Sequence, residues 1–179
     1  MSRVIEAVAV LLSLLYTCMY LRGVLPLAYL PAGLGAALFA YLCFKREIYA
    51  ESFLQIVYVV LAFVGAFLSY DEVVSSVWSL NDHIGWLSMN VFGTLALGFC
   101  LQKWSNSKLP FIDAFTTVFS LGATWLMILN MPANWIYWIA INSVAIILYY
   151  KRGMKMGALM FFIYLLMAID GYFENISWF

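Results

Sequence analysis

Charge is what this sequence has least of. Nine Lys and Arg and nine Asp and Glu make up 10 % of its 179 residues, where a soluble domain carries roughly a quarter. With 66 % of the residues hydrophobic, the chain cannot present a polar coat to water, and lipid must surround most of it. The formal net charge of zero gives no argument for nucleic acid or for an acidic partner surface. Histidine occurs once, at His83 in a polar stretch, where it reads as solvated rather than as a ligand. No His, Cys, Asp and Glu cluster has ligand spacing, so neither a metal nor another cofactor is expected. No phosphate-cradling glycine loop with a lysine is present, so the chain is not expected to hydrolyse ATP itself. No Ser or Cys pairs with a His inside an apolar run, and the sequence does not read as an enzyme. Cys18, Cys43 and Cys100 all fall within apolar runs and suggest no disulfide framework. The run after Arg3 is long and reaches Arg22 without a small-x-small cleavage site, which favours a span over a signal peptide.

What is abundant is apolar sequence of membrane-crossing length. About 20 such residues span the hydrocarbon core, and seven stretches qualify: 4–21, 25–44, 50–70, 84–102, 111–130, 134–150 and 154–173. Punctuation stands between them at Arg22-Gly23, Lys45-Arg46-Glu47, Asp71-Glu72, Lys103, Asn130 with Pro132, and Lys151-Arg152-Gly153. The junctions are too short for a soluble domain. The longest, 71–83, is amphipathic enough to lie on the membrane surface. The expected fold is an all-α membrane protein of seven transmembrane helices.

A repeat at an offset of 106 residues organises these helices. Lys45-Arg46 maps onto Lys151-Arg152, Tyr58 onto Tyr164, Ala62 onto Ala168, and Gly65 onto Gly171. The expected arrangement is a first three-helix bundle over 1–70, a surface loop and linker helix over 71–104, and a second bundle over 105–179. The single linker helix lets both bundles point the same way. Parallel repeats of this kind are a transporter architecture, with cargo bound between halves near the midplane.

The residues able to carry chemistry follow from burial in lipid. Asn134, Trp135, Trp138 and Asn142 open the sixth helix, and positions 135, 138 and 142 share one face. Two indoles and an amide suit a flat heterocycle, and a cationic ring would gain about 0.5–2 kcal/mol of cation–π attraction. An aromatic belt with a helix-packing asparagine is the competing reading, strongest for Trp135 near the helix end. Gln55 and Tyr58 lie one turn apart on the third helix, and Tyr164 repeats Tyr58. These three either face one cavity or bond neighbouring helices. Asp113 and Asp170 are the acids nearest the interior. Asp113 follows Pro110 at a helix start, where the helix dipole favours a carboxylate, and Asp170 stands near the outer end of the seventh helix.

The run Asp113-Ala114-Phe115, Ser120-Leu121, Asn134-Trp135-x-x-Trp138-x-x-x-Asn142, Tyr150 to Gly153 and Gly171 resembles the Pnu family of bacterial vitamin transporters. Tyr49-Ala50, Leu54-Gln55 and Gly65 extend the resemblance into the first half. The resemblance implies a SWEET-like fold of two three-helix bundles and a linker helix. It implies that a vitamin stacks on the tryptophan pair and moves down its gradient, and that a cytoplasmic kinase then traps it. Trp135, Trp138 and Asn142 would inherit the binding role, joined by Gln55. Ala62 and Ala66 stand where nicotinamide riboside carriers of the family have an asparagine and an aromatic residue, and Gly35 where an asparagine is expected. These departures shift the expected cargo toward thiamine, carried by another branch, with nicotinamide riboside as the alternative.

The sequence therefore reads as a facilitative vitamin transporter of the bacterial inner membrane, with oligomerisation open. Two other readings remain: a substrate-capturing subunit of an ATP-driven uptake complex, and a membrane scaffold without saturable ligand binding. With a cytoplasmic N-terminus, Arg3, Lys45, Arg46, Lys103, Lys108, Lys151, Arg152 and Lys155 fall inside and only Arg22 outside. That eight-to-one bias predicts an outer C-terminus by the positive-inside rule. Reporter fusions at both ends test it, and a periplasmic signal from the N-terminal fusion would reverse the assignment.

Overall fold

The computed structural model describes residues 2–45, 49–68, 78–105, 107–151 and 155–176. Among the described residues there are seven α-helices and no strand: α1 (Ser2–Leu21), α2 (Tyr29–Lys45), α3 (Tyr49–Leu68), α4 (Leu80–Trp104), α5 (Pro110–Ile128), α6 (Asn134–Lys151) and α7 (Lys155–Ile176). By length and composition alone α1, α4 and α5 can each cross a membrane. Phenylalanines such as Phe53, Phe63, Phe67, Phe92 and Phe99 stand exposed along α3 and α4. In water so much apolar surface would drive association; in hydrocarbon it is the solvated face. The chain is a membrane protein of seven helices, as its composition requires.

Two helix starts differ by four residues from the sequence expectation, for local reasons. α2 begins at Tyr29 rather than 25 because the chain first completes the stop of α1. Gly23 takes φ 65°, its N–H donates to the Tyr20 carbonyl, and the next N–H, of Val24, donates to the Met19 carbonyl. This is a Schellman stop. α5 ends the same way: Asn130 takes φ 51°, its N–H donates to Met127, and the Met131 N–H donates to Leu126. Asparagine substitutes for glycine because it tolerates the left-handed region better than other side chains. α4 begins at Leu80 rather than 84, because Ser79 and Asp82 form a reciprocal capping box. His83 consequently lies in a helix and not in a polar loop. Of the expected surface segment 71–83, residues 71–77 lie outside the described residues and 80–83 are helical. The charged junctions at Arg46-Glu47 and Arg152-Gly153 also lie outside them.

The chain divides into two compact units, Met1–Val73 and Val74–Phe179. In the first, α2 packs against both α1 and α3, and small residues set the approach. Gly35 meets Ser13 and the Ala9 carbonyl of α1, and Gly33 meets Ala62 of α3. The ring of Tyr29 occupies the space above Gly65. The buried Ser52 hydroxyl donates to the Ala40 carbonyl at 2.9 Å, joining α3 to α2. In the second unit α4 packs on α5, α5 on α6, and α6 on α7. Here Gly98 receives Phe111 and Gly93 receives Val118. Close approach over small residues is how membrane helices associate, since lipid offers no hydrophobic drive between them.

A Cβ at Gly65 or Gly98 would run into an aromatic ring, whereas one at Gly85 meets open space. Gly65→Ala and Gly98→Ala should each destabilise by about 1–3 kcal/mol through overpacking. Gly85→Ala should be neutral or slightly stabilising, since alanine is the better helix former. Thermal midpoints in detergent check the contrast; equal midpoints for all three variants would refute these contacts.

Candidate functional site

α6 is positioned from its first residue. After the stop of α5, the chain turns through Met131 and Pro132, and the N–H groups of Asn134 and Trp135 donate to the carbonyls of those two residues. The Asn134 side chain repeats the turn, its Nδ2 donating to the Met131 carbonyl at 2.7 Å. Tyr137 and Ile141 enter a buried cluster with Phe119, Ala123 and Leu126 of α5, and Trp138 packs against it. The Trp138 Nε1–H donates to the Met127 sulfur at 3.0 Å, which pins the indole on the α5 side.

The structure brings Asn134, Trp135, Trp138 and Asn142 together on this helix, Trp138 half-buried and the other three buried. The Oδ1 atoms of Asn134 and Asn142 are buried without a hydrogen-bond partner. An unsatisfied buried acceptor costs about 1–3 kcal/mol. A bound molecule with N–H groups would recover it. Tyr164 belongs to the same unit. Its ring lies 6.4 Å from that of Phe161 on α7, which meets Tyr149 of α6 edge-on at 4.8 Å. Gln55 and Tyr58 lie one turn apart and half-buried on α3, in the first unit.

The repeat supplies an internal control for α6. At the same offset of 106, Asn134, Trp135, Trp138 and Asn142 correspond to Ala28, Tyr29, Ala32 and Ala36. Burial matches closely: Ala28, Tyr29 and Ala36 are 0, 3 and 7 % exposed, and Asn134, Trp135 and Asn142 are 1, 4 and 2 %. The first unit fills the two asparagine positions with alanine. The architecture therefore does not itself demand amides there.

Asn90 and Thr94 were not anticipated as candidates. Asn90 is buried on α4, its Nδ2 donating to the Trp86 carbonyl at 2.8 Å. Its Oδ1 lies where a Cβ at Gly122 of α5 would stand. The Thr94 hydroxyl, one turn on, is buried without a partner. The signal was available, since a lone amide in an apolar run is the argument already applied to Asn142. The two acids serve other ends. Asp113 lies in the first turn of α5 and accepts a hydrogen bond from the Ser107 hydroxyl, and Asp170 is exposed. Among the described residues no group of His, Cys, Asp and Glu could hold a metal ion.

The family profile described as nicotinamide mononucleotide transporter matches residues 3–178. A curated relative, the nicotinamide riboside transporter PnuC of Neisseria mucosa, is 28 % identical over 171 residues, covering 84 % of this chain and 62 % of the relative. The nicotinamide riboside transporter PnuC of Haemophilus influenzae is 32 % identical over 93 residues, covering 50 % of this chain and 40 % of the relative. The chain thus spans less than two-thirds of the length of either curated relative. The crystal structure of a vitamin B3 transporter, PnuC, superposes with a TM-score of 0.76 at 26 % identity, covering 94 % of this chain and 79 % of that one. With its profile matched almost end to end, the chain belongs to the nicotinamide mononucleotide transporter family.

Proposed function

We propose that this chain carries nicotinamide riboside passively across the bacterial inner membrane. The observation that carries the reading is the buried, unsatisfied Oδ1 of Asn142, one turn from the pinned indole of Trp138. The carboxamide of nicotinamide riboside offers the N–H that Asn142 lacks, and its cationic ring suits an indole face. Thiamine would also present a cationic ring and an amino group, so α6 alone does not separate the two. The relatives do favour one: both curated relatives are named for nicotinamide riboside, and thiamine finds no support among them. The departures at Gly35 and Ala62 have a packing explanation. Gly35 is pressed against α1, and Ala62 faces Gly33, so neither place has room for asparagine without repacking.

Charge argues for the riboside over the phosphorylated nucleotide. Among the described residues the seven basic ones stand at helix ends or between helices, and a phosphate inside the membrane would call for a cation near it. Gln55 and Tyr58 in the first unit and Tyr164 in the second are further proposed binding residues, each in its own unit. The proposal includes a cytoplasmic N-terminus, an outer C-terminus, α4 as the connection between bundles, and a cytoplasmic kinase that phosphorylates the cargo and prevents its return.

Titration of the purified chain with nicotinamide riboside, thiamine and riboflavin, read by tryptophan quenching, tests the assignment. Nicotinamide riboside should bind most tightly; tighter thiamine binding would overturn the cargo, and no saturable binding would favour a scaffold. Trp138→Ala removes a stacking contact worth about 0.5–1.5 kcal/mol beyond its buried area, so affinity should fall about tenfold or more. Asn142→Leu should weaken binding comparably while leaving the protein monodisperse, because leucine is inexpensive in lipid. Folded variants with unchanged affinity would make this face structural.

Flux in proteoliposomes separates passive transport from its rivals. Labelled nicotinamide riboside should equilibrate without accumulating. Accumulation abolished by a protonophore would show ion coupling and direct attention to Asp113. Binding without flux would favour the capturing subunit of a larger complex.

A further inference from the structure

His83 is the one histidine of the chain, and it stands in the first turn of α4 directly after the Ser79–Asp82 capping box. Its Nδ1 lies 3.2 Å from the hydroxyl of Tyr137, in the first turn of α6, and the two rings are 6.1 Å apart. Trp78 meets the imidazole edge-on at 5.3 Å, and Trp86 meets Trp78 edge-on at 5.7 Å. Both indoles also pack against the cluster that contains Tyr137. The imidazole is thus set among aromatic rings, with its nitrogen on the phenol.

The place of this contact in the second unit gives it a consequence. α4 packs on α5, α5 on α6 and α6 on α7, so α5 and α7 are the principal supports of α6. The His83–Tyr137 contact joins α4 to α6 directly, at the N-terminal turns of both helices. Tyr137 immediately precedes Trp138, and Asn142 follows less than two turns later. A tilt or rotation of the first turn of α6 would therefore reorient both residues assigned to cargo. Apolar packing of Tyr137 in its cluster would hold the helix near its place but would leave its rotation less defined, because dispersion lacks the directionality of a hydrogen bond.

We propose that His83 is a positioning residue, which fixes the orientation of the Trp138–Asn142 face by bonding Tyr137. This rests on the assignment of that face to cargo. The test uses the full chain and nicotinamide riboside, with binding and thermal midpoint measured for His83→Phe, Tyr137→Phe, the double variant and His83→Asn. Tyr137→Phe loses only a hydroxyl and keeps the ring in its cluster, so it remains readable if His83→Phe folds poorly. Each single variant should weaken binding about three- to tenfold, the worth of one hydrogen bond. The double variant should be no weaker than the worse single, because both remove the same contact. His83→Asn, which can place an amide near the Nδ1 position, should recover most of the affinity. Wild-type affinity in Tyr137→Phe, multiplied losses in the double variant, or a lowered midpoint with unchanged affinity would each overturn the positioning role. Trp138→Ala and Asn142→Leu are the controls. If they weaken binding and Tyr137→Phe does not, only the positioning role falls; if they too leave it unchanged, the cargo assignment falls with it.

Discussion

Hydrocarbon supplies no hydrogen bonds, so a polar group within the bilayer must find its partner inside the protein or remain unsatisfied at a cost. Most of the local structure can be derived from this constraint. Hydroxyls within the helices turn back on their own backbone: Ser13 to Ala9, Thr17 to Ser13, Thr116 to Ile112, Thr124 to Ser120 and Ser143 to Ile139. The ends of α1 and α5 close their carbonyls through Schellman turns, and the start of α4 closes its N–H groups through Ser79 and Asp82. Against this pattern, the buried oxygens of Asn134 and Asn142 are exceptions, as is the Thr94 hydroxyl of α4. The two asparagine oxygens lie on the helix that also presents Trp138, where a molecule with donors of its own would complete them.

The same absence of water changes what holds helices together. Burying a leucine against another helix gains little when the alternative is a lipid chain, so packing depends on close approach and on shape. Gly33, Gly35, Gly93 and Gly98 provide that approach, and Tyr29 above Gly65 shows the complementary solution, a large ring set into the space left by a missing side chain. Tight packing in the first unit also limits what its helices can offer a cargo. Positions 35 and 62 are consumed by helix contacts, Gly35 against Ser13 and Ala9 of α1 and Ala62 against Gly33.

Much of this was legible in the sequence because hydrophobic length and charged punctuation are direct consequences of the bilayer. All seven helices occur within a few residues of the expected stretches. The early start of α4 was also readable, since Ser79 with Asp82 three residues later is a helix-start signature, but the polarity of residues 79–83 suggested a loop. The bond from Trp138 to Met127 was not readable, because it depends on which face of α5 meets α6. The same holds for His83, whose partner is 54 residues away. The preference for thiamine, which the curated relatives do not support, rested on reading absent asparagines as lost recognition groups, whereas Gly35 and Ala62 occupy packing positions whose spatial demands only the folded units reveal.

Positions 106 residues apart in the two units are put to unequal use. The Schellman stops at Gly23 and Asn130, the prolines at 26 and 132, and the buried aromatics Tyr29 and Trp135 keep the same local plan in both halves. Where the first unit has Ala28 just before α2 and Ala32 and Ala36 within it, α6 has Asn134, Trp138 and Asn142. Alanine at the first-unit positions lets α2 sit between α1 and α3 with no polar atom to satisfy. If stability alone shaped α6, alanine or leucine would serve there too, since each buried amide adds an acceptor that the protein leaves unpaired. The expense falls on one repeat and is absent from the other, so it is not imposed by the fold. A recognition role for these positions of α6 would account for it. An asymmetric ligand with one flat ring and a few donors would give such a reason, because the buried oxygens it would complete need stand on one helix only.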